Sequence, residues 1–263
     1  MSDMPIITLT SDWGLRDHYV GAVKGAILRQ LPEATIVDIS HLISPFDLKQ
    51  ASFIVGNAYH YFPEGTVHIV AVDSIESTLR QHLALKADGH YFVGADNGIF
   101  SLFLRKPPDV IVGLTIMQDT GYFTFPTRDR FVKAACHLAA GNAIQELGDI
   151  LPALLEKFLY QPVVNDSIIQ GKAVQIDAYG NIFTNISQEL FQHTALKRKF
   201  SLIVKRPGYL ITKIRNAYDE VPEGEMLALF ASNGYLQIAL NRGRASSLLG
   251  VEVDDLIMVS FED

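Results

Sequence analysis

Two hydrophobic periods alternate at the start of this chain, and that alternation limits what it can build. Ile6 to Thr10 is an apolar run of strand length, after which Val20, Val23, Ile27 and Leu31 recur at helical spacing until Pro32, which cannot extend a helix. Thr35 to Ile39 reads as a second strand, and Leu48, Ala51, Val55 and Ala58 as a second helix opened by Asp47. Val67 to Val72 is then a continuous apolar run, the pattern of a strand covered on both faces. The order βαβαβ implies an open sheet with helices on its faces.

The pattern continues and then changes. Leu83 to Ala87 and His90 to Val93 flank Asp88-Gly89, a dipeptide suited to a two-residue type I′ hairpin. Val110 to Thr115 reads as a strand, and Arg130 to Ala140 as a helix closed by Gly141. Beyond these, Ala173 to Ile176, Ile182 to Ile186, Phe200 to Val204, Tyr209 to Ile214, Met226 to Phe230, Tyr235 to Leu240 and Leu256 to Ser260 are short strand-like runs punctuated by Gly, Asn and Pro. The expected fold is an α/β N-terminal domain over residues 1–162 and an all-β C-terminal barrel domain over residues 168–263. The segment between Tyr160 and Ile168 serves as the linker.

Charge and composition narrow the partners. A net charge of -7, with no basic cluster interleaved with aromatics, argues against nucleic acid. No stretch approaches the roughly 18 apolar residues of a membrane span, and the first residues lack a basic, then apolar leader, so a cytoplasmic protein is expected. The single cysteine, Cys136, lies in a helical run and reads as a small buried hydrophobe. Dinucleotide, P-loop, zincin and nucleophile-elbow signatures are absent, and the eight histidines show no metal-ligand spacing.

Three polar groupings stand out. Asp12 follows the first strand in Ser11-Asp12-Trp13-Gly14, where loops at strand carboxyl ends present side chains to ligands. Its carboxylate suits paired hydroxyls or a cation, or else caps the following helix. Asp73 closes the buried strand and Arg80 follows seven residues later, a pair equally readable as a structural salt bridge. Asp177, Tyr179 and Asn181 surround a tight turn; turn chemistry explains them, and so does an adenine site with an amide on the base edge and a ring on its face.

Together these residues resemble the S-adenosylmethionine hydroxide adenosyltransferase family, related to the fluorinating and chlorinating enzymes that use the same substrate. The opening is similar to that family's Thr/Ser-Asp-Phe-Gly-x-x-Asp-x-Tyr-Val-Gly-x-x-Lys-Gly pattern at Ser11, Asp12, Gly14, Asp17, Tyr19, Val20, Gly21, Lys24 and Gly25. Further matches are Ser44-Pro45-Phe46-Asp47, the Pro-Glu-Gly after Phe62, Asp96-Asn97-Gly98, Thr124-Phe125-x-x-Arg128-Asp129, Asp177 to Asn185, and Ser232-Asn233-Gly234-Tyr235-Leu236. The resemblance implies hydrolysis of S-adenosyl-L-methionine to adenosine and L-methionine by water attack at C5′, with no cofactor. It also implies a homotrimer whose sites lie at subunit interfaces.

In that resemblance Asp12 holds the ribose hydroxyls, Phe46 packs on the sugar, and Asp17, Asp177 and Ser232 take the methionine end. Asn181, near Tyr179, reads the adenine, and Tyr19, Thr124, Tyr218 and Asn233 complete the substrate contacts. The family's water-handling Asp-Arg-His set is met by Asp73 and Arg80, but Pro126 stands in the place of the His. Thr127 occupies the place of a halide-contacting Ser and is expected to position a water. Ser74-Ile75-Glu76-Ser77 replaces the family's Pro-Gly-Val-Gly, Trp13 replaces a Phe, and Gln237 an expected Glu. Loss of the His leaves open a non-catalytic or weakly active adenosine- or S-adenosylmethionine-binding protein. Halide substitution is disfavoured, because no extra segment lies near His82 to Asp96.

Overall fold

The computed structural model describes residues 5–75, 77, 80–118, 121, 123–205 and 208–262. The chain forms two compact units, Met1–Phe158 and Leu159–Asp263. Among the described residues no helix is long and apolar enough to cross a membrane.

The first unit is built on a mixed sheet. Its strands are β1 (Ile6–Ser11), β2 (Thr35–Ser40), β3 (Val67–Ala71), β4 (His82–Ala87), β5 (His90–Ala95), β6 (Val110–Leu114) and β7 (Gly148–Ile150). Their spatial order is 2-1-3-5-4-6-7. The β2-β1-β3-β5 half is parallel and the β5-β4-β6-β7 half antiparallel. The change of direction occurs at the Asp88-Gly89 turn, where both residues have positive φ, 49° and 79°, as a type I′ turn demands.

Strand side chains alternate between two apolar layers. Ile69 and Ala71 join Ile7, Leu9, Val23 and Ile27 of α1 (Tyr19–Gln30) and Val132 and Ala135 of α4 (Val132–Ala139). Val70 and Val72 face Ala51 and Val55 of α2 (Leu48–Gly56) and Ile99 and Phe100 of α3 (Ile99–Phe103). Asp47 caps α2 by accepting the Gln50 backbone N–H. The helix expected from Arg130 begins earlier, as a π-helical turn over Thr127–Phe131 that runs into α4.

The second unit contains β8 (Val163–Val164), β9 (Ile168–Ile176), β10 (Ile182–Ser187), β11 (Phe200–Ile203), β12 (Leu210–Ile211), β13 (Ile214–Arg215), β14 (Met226–Phe230), β15 (Tyr235–Leu240) and β16 (Leu256–Phe261). They form one nine-stranded sheet in the order 12-11-16-9-10-15-14-13, with β8 beside β9, wrapped nearly into a barrel around Ile169, Ile182, Leu202, Leu236 and Ile257. Two expectations need correction. The single strand over Tyr209 to Ile214 is two separate pairs of residues, β12 on β11 and β13 on β14. The unit also holds two helices, α5 (Gln188–Ala195), capped by Ser187, and α6 (Ala245–Leu249).

Candidate functional site

Parallel strands β1, β2, β3 and β5 bring their carboxyl ends to one edge of the first sheet. Asp12 follows β1 directly, His41 follows β2, and Asp73 lies just beyond β3. The helix-cap reading of Asp12 does not hold. His18 occupies the N-cap of α1, with no side-chain bond, while Asp12 Oδ2 accepts the Phe46 backbone N–H at 2.9 Å. Asp12 thereby fixes the loop between β2 and α2. Phe46 sits there in left-handed backbone, φ 66°, and the residue is 67% exposed. The ring is available to a ligand.

His41, not expected as part of the site, anchors the same edge. The Ser11 hydroxyl lies 2.7 Å from His41 Nδ1, and His41 Nε2 faces Asp38 Oδ1 at 3.1 Å. The carboxylate assigns the proton to Nε2, so Nδ1 accepts from Ser11. Burial tends to raise the Asp38 carboxyl, but its bonds to Lys24 and His41 outweigh this and hold it below the ordinary range. The Gly14 N–H donates to the His41 carbonyl at 2.7 Å.

An aromatic group joins a third loop to this edge. Phe125 meets Trp13 and Tyr19 edge-on, each at 5.3 Å, and His41 stacks on Trp13 at 6.4 Å. Phe125 thus carries the Thr124 to Thr127 segment against the loop after β1. Thr124 and Asp17 are exposed, whereas Thr127 is fully buried and its Oγ1 has no hydrogen-bond partner. An orphaned buried hydroxyl costs about 1–3 kcal/mol.

Asp73 is the most constrained residue of the set. Its φ is 46°, left-handed backbone that aspartate enters more readily than most residues with a Cβ but still at a cost relative to glycine. Arg80 Nη1 donates to Asp73 Oδ2 at 2.7 Å. Asn97 Nδ2 donates to the carbonyls of Val72 and Asp73 at 2.9 and 3.0 Å. Ser77 and Arg80 exchange backbone bonds at 3.0 and 3.1 Å, closing the loop on itself. Glu76, Thr78 and Leu79 of this loop lie outside the described residues. The loop base is completed by His82, whose Nε2 bonds the Ser74 carbonyl at 3.0 Å.

The second unit gathers the other expected residues at its turns. Asp177 Oδ1 accepts the backbone N–H groups of Tyr179 and Asn181, both at 2.9 Å, and Oδ2 accepts Asn181 Nδ2 at 3.0 Å. Turn chemistry accounts for these bonds, and Tyr179 is left 77% exposed. Gly180, φ 81°, completes the turn, where an added Cβ would stand 2.8 Å from Arg244 Cβ. Tyr218 donates to Gln237 Oε1 at 2.8 Å; burial first, then the nearby Asp177 carboxylate, raise the Tyr218 phenol above its ordinary range. Ser232 is exposed in the turn between β14 and β15, where Asn233 Oδ1 accepts the Tyr235 N–H at 3.1 Å.

Within the first unit, then, Asp12, Phe46, Asp73, Arg80 and Thr124 come from loops at one sheet edge, while Tyr19 opens α1 and Thr127 opens the π-helical turn beside them. Within the second, Asp177, Tyr179 and Asn181 share a turn and Tyr218 lies close to Asp177. His41 and His82, missed from sequence, and Asn97, noted there only within the Asp96-Asn97-Gly98 match, act by holding loops; the signal for His41 was its place directly after a strand. Each unit by itself offers carboxylates for hydroxyls and an exposed ring for a flat group, and the first adds a carboxylate-guanidinium pair able to orient a small polar molecule.

Residues 7–148 match the model of the SAM hydroxide adenosyltransferase N-terminal domain, and residues 171–258 that of the C-terminal domain. The chain is 33% identical over 254 residues to the (R)-S-adenosyl-L-methionine hydrolase of Thermus thermophilus, covering 92% of this chain and 94% of the relative. It is 27% identical to the fluorinase of Nocardia brasiliensis, with 90% of each covered. The crystal structure of an uncharacterized conserved protein from Thermotoga maritima superposes with a TM-score of 0.88 at 32% identity, covering 97% of this chain and 99% of that one.

Proposed function

The chain belongs to the SAM hydroxide adenosyltransferase family, and we propose that it hydrolyses S-adenosyl-L-methionine to adenosine and L-methionine. One observation carries the reading: Asp12 and the Asp73–Arg80 pair stand at the ends of the neighbouring parallel strands β1 and β3. A ribose held by Asp12 would present its C5′ to a water held by Asp73 and Arg80.

The substrate dictates the chemistry. Attack forms the C5′–O bond as the C5′–S bond breaks, the sulfur leaves with both electrons as a neutral thioether, and no general acid is needed. The water's proton passes by way of the Asp73 carboxylate to solvent. Alignment and exclusion of other water supply the rate. In this assignment Asp12 takes the ribose hydroxyls and Phe46 the sugar face, with Tyr19 and Thr124 beside them. Thr127 is assigned to steady the attacking water, which would give its buried hydroxyl the partner it lacks in the free protein. Asp17, Asp177 and Ser232 take the methionine end, while Asn181 and Tyr179 take the adenine, helped by Tyr218 and Asn233.

The proposal extends to an adenosyl-binding domain over residues 1–162, a barrel domain over residues 168–263, and a homotrimer acting in the cytoplasm without a cofactor. Light scattering on the purified protein tests the trimer. The direct test is incubation with S-adenosyl-L-methionine, with and without chloride, and identification of the nucleoside formed. Adenosine in both, lost in Asp73→Ala, supports hydrolysis; a chlorinated nucleoside overturns it. The second reading, a binder without turnover, is favoured by Pro126 in the place of the family His. Tight uptake without released adenosine would establish it.

A further inference from the structure

We propose that His82 is the positioning residue that holds the Asp73–Arg80 loop in working geometry and ties it to the segment carrying Thr127. The inference rests on the hydrolase reading above. The loop from Asp73 to Arg80 contains no glycine, yet Asp73 occupies left-handed backbone at φ 46°. Such a residue persists only when its surroundings over-determine it. Asn97 grips the carbonyls of Val72 and Asp73, and His82 Nε2 bonds the next carbonyl, that of Ser74, at 3.0 Å.

The imidazole itself is fixed. His82 opens β4, paired with Ala95 of β5, and is 1% exposed. Its ring meets Phe131 edge-on at 4.8 Å. Arg130 Nη1 lies 3.4 Å from His82 Nδ1. A guanidinium only donates, so Nδ1 accepts and the ring proton is assigned to Nε2, the atom that faces the Ser74 carbonyl. Arg130 and Phe131 belong to the π-helical turn that begins at Thr127. One imidazole thereby bridges the backbone beside Asp73 and the turn bearing Thr127.

The test compares His82→Phe, which keeps the ring packing against Phe131 but loses the polar contacts of Nδ1 and Nε2, with His82→Gln, whose amide N–H stands near the place of Nε2. Steady-state hydrolysis and amide hydrogen exchange of the 73–82 loop are measured on the full chain. Expected are a kcat lower by about 10- to 100-fold in His82→Phe, with KM within about threefold. Faster exchange at Ser77 and Arg80, and substantial recovery of both readouts in His82→Gln, complete the expectation. Unchanged exchange and kcat in His82→Phe overturn the proposal, as does a His82→Gln as impaired as His82→Phe. If His82→Phe does not fold, Arg130→Met removes the contact to Nδ1 and is read by the same two measurements. A wild-type chain that forms no adenosine refutes the hydrolase reading, whereas the exchange experiment still decides the role of His82 in the loop.

Discussion

Acidification should loosen the first unit through one buried histidine, by an amount that can be worked out. His68 on β3 is 1% exposed, with Thr8 Oγ1 2.7 Å from its Nδ1, His90 Nδ1 3.1 Å from its Nε2, and Phe92 stacked at 5.0 Å. Burial first, then the neighbouring His90, push its pKa from 6.5 down to about 3. The native state therefore keeps His68 neutral at pH values where the unfolded chain protonates it, so the unfolded state binds more protons and stability falls with acid. The contribution is intact above about pH 6.5 and is lost progressively as pH descends toward 3. At pH 5 the solution lies about 1.5 units below the pKa of the unfolded side chain, worth about 2 kcal/mol at 1.36 kcal/mol per unit. Trp13 is the sole tryptophan and lies in this unit, so its fluorescence during urea unfolding isolates the relevant transition. His68→Phe, which fits among Phe62, Tyr59 and Phe92 but cannot titrate, provides the reference. Between pH 7.5 and 5.0 the wild type should lose about 2 kcal/mol more than the variant. Equal losses in the two proteins would refute the reasoning.

The remaining expectations concern the site and its supports. Asp12→Asn keeps an acceptor for the Phe46 N–H but removes the charge offered to ribose hydroxyls, and calorimetry should show affinity for adenosine reduced about 10- to 100-fold; unchanged affinity removes Asp12 from the site. Thr127→Val replaces a buried, unpartnered hydroxyl with a methyl and should raise the melting temperature of the first unit by a few degrees, corresponding to about 1 kcal/mol, while lowering kcat. A lower melting temperature shows that the hydroxyl is bonded after all. Gly180→Ala meets both positive φ and Arg244, so the second unit should lose more than about 1 kcal/mol in thermal unfolding; a neutral result would mean the turn has another accessible geometry.

Legibility from sequence followed the range of the determining interactions. The first five elements emerged from local period, and the hairpin from Asp88-Gly89, because those preferences act within a few residues. Helix α5 escaped notice since only a Ser187 cap and a few apolar residues mark it, and Tyr209 to Ile214 looked like one strand because alternation cannot report that its two ends pair with different partners. Asp12 and Asp73 were visible as carboxylates at strand ends. The contacts that hold Asp73 were not: Asn97 is 24 residues from Asp73 in sequence, and His82 meets Arg130 across 48 residues. Such contacts exist only once the strand order 1-3-5-4 is assembled.

The left-handed backbone at Phe46 and Asp73 bears on how this protein would respond to laboratory evolution. Selection for heat resistance alone should enrich glycine at both positions, because that substitution relieves torsional tension wherever a side chain is dispensable. Selection that also demands turnover should reject it. Sequencing survivors from the two regimes would therefore separate what these loops need for shape from what they retain for chemistry.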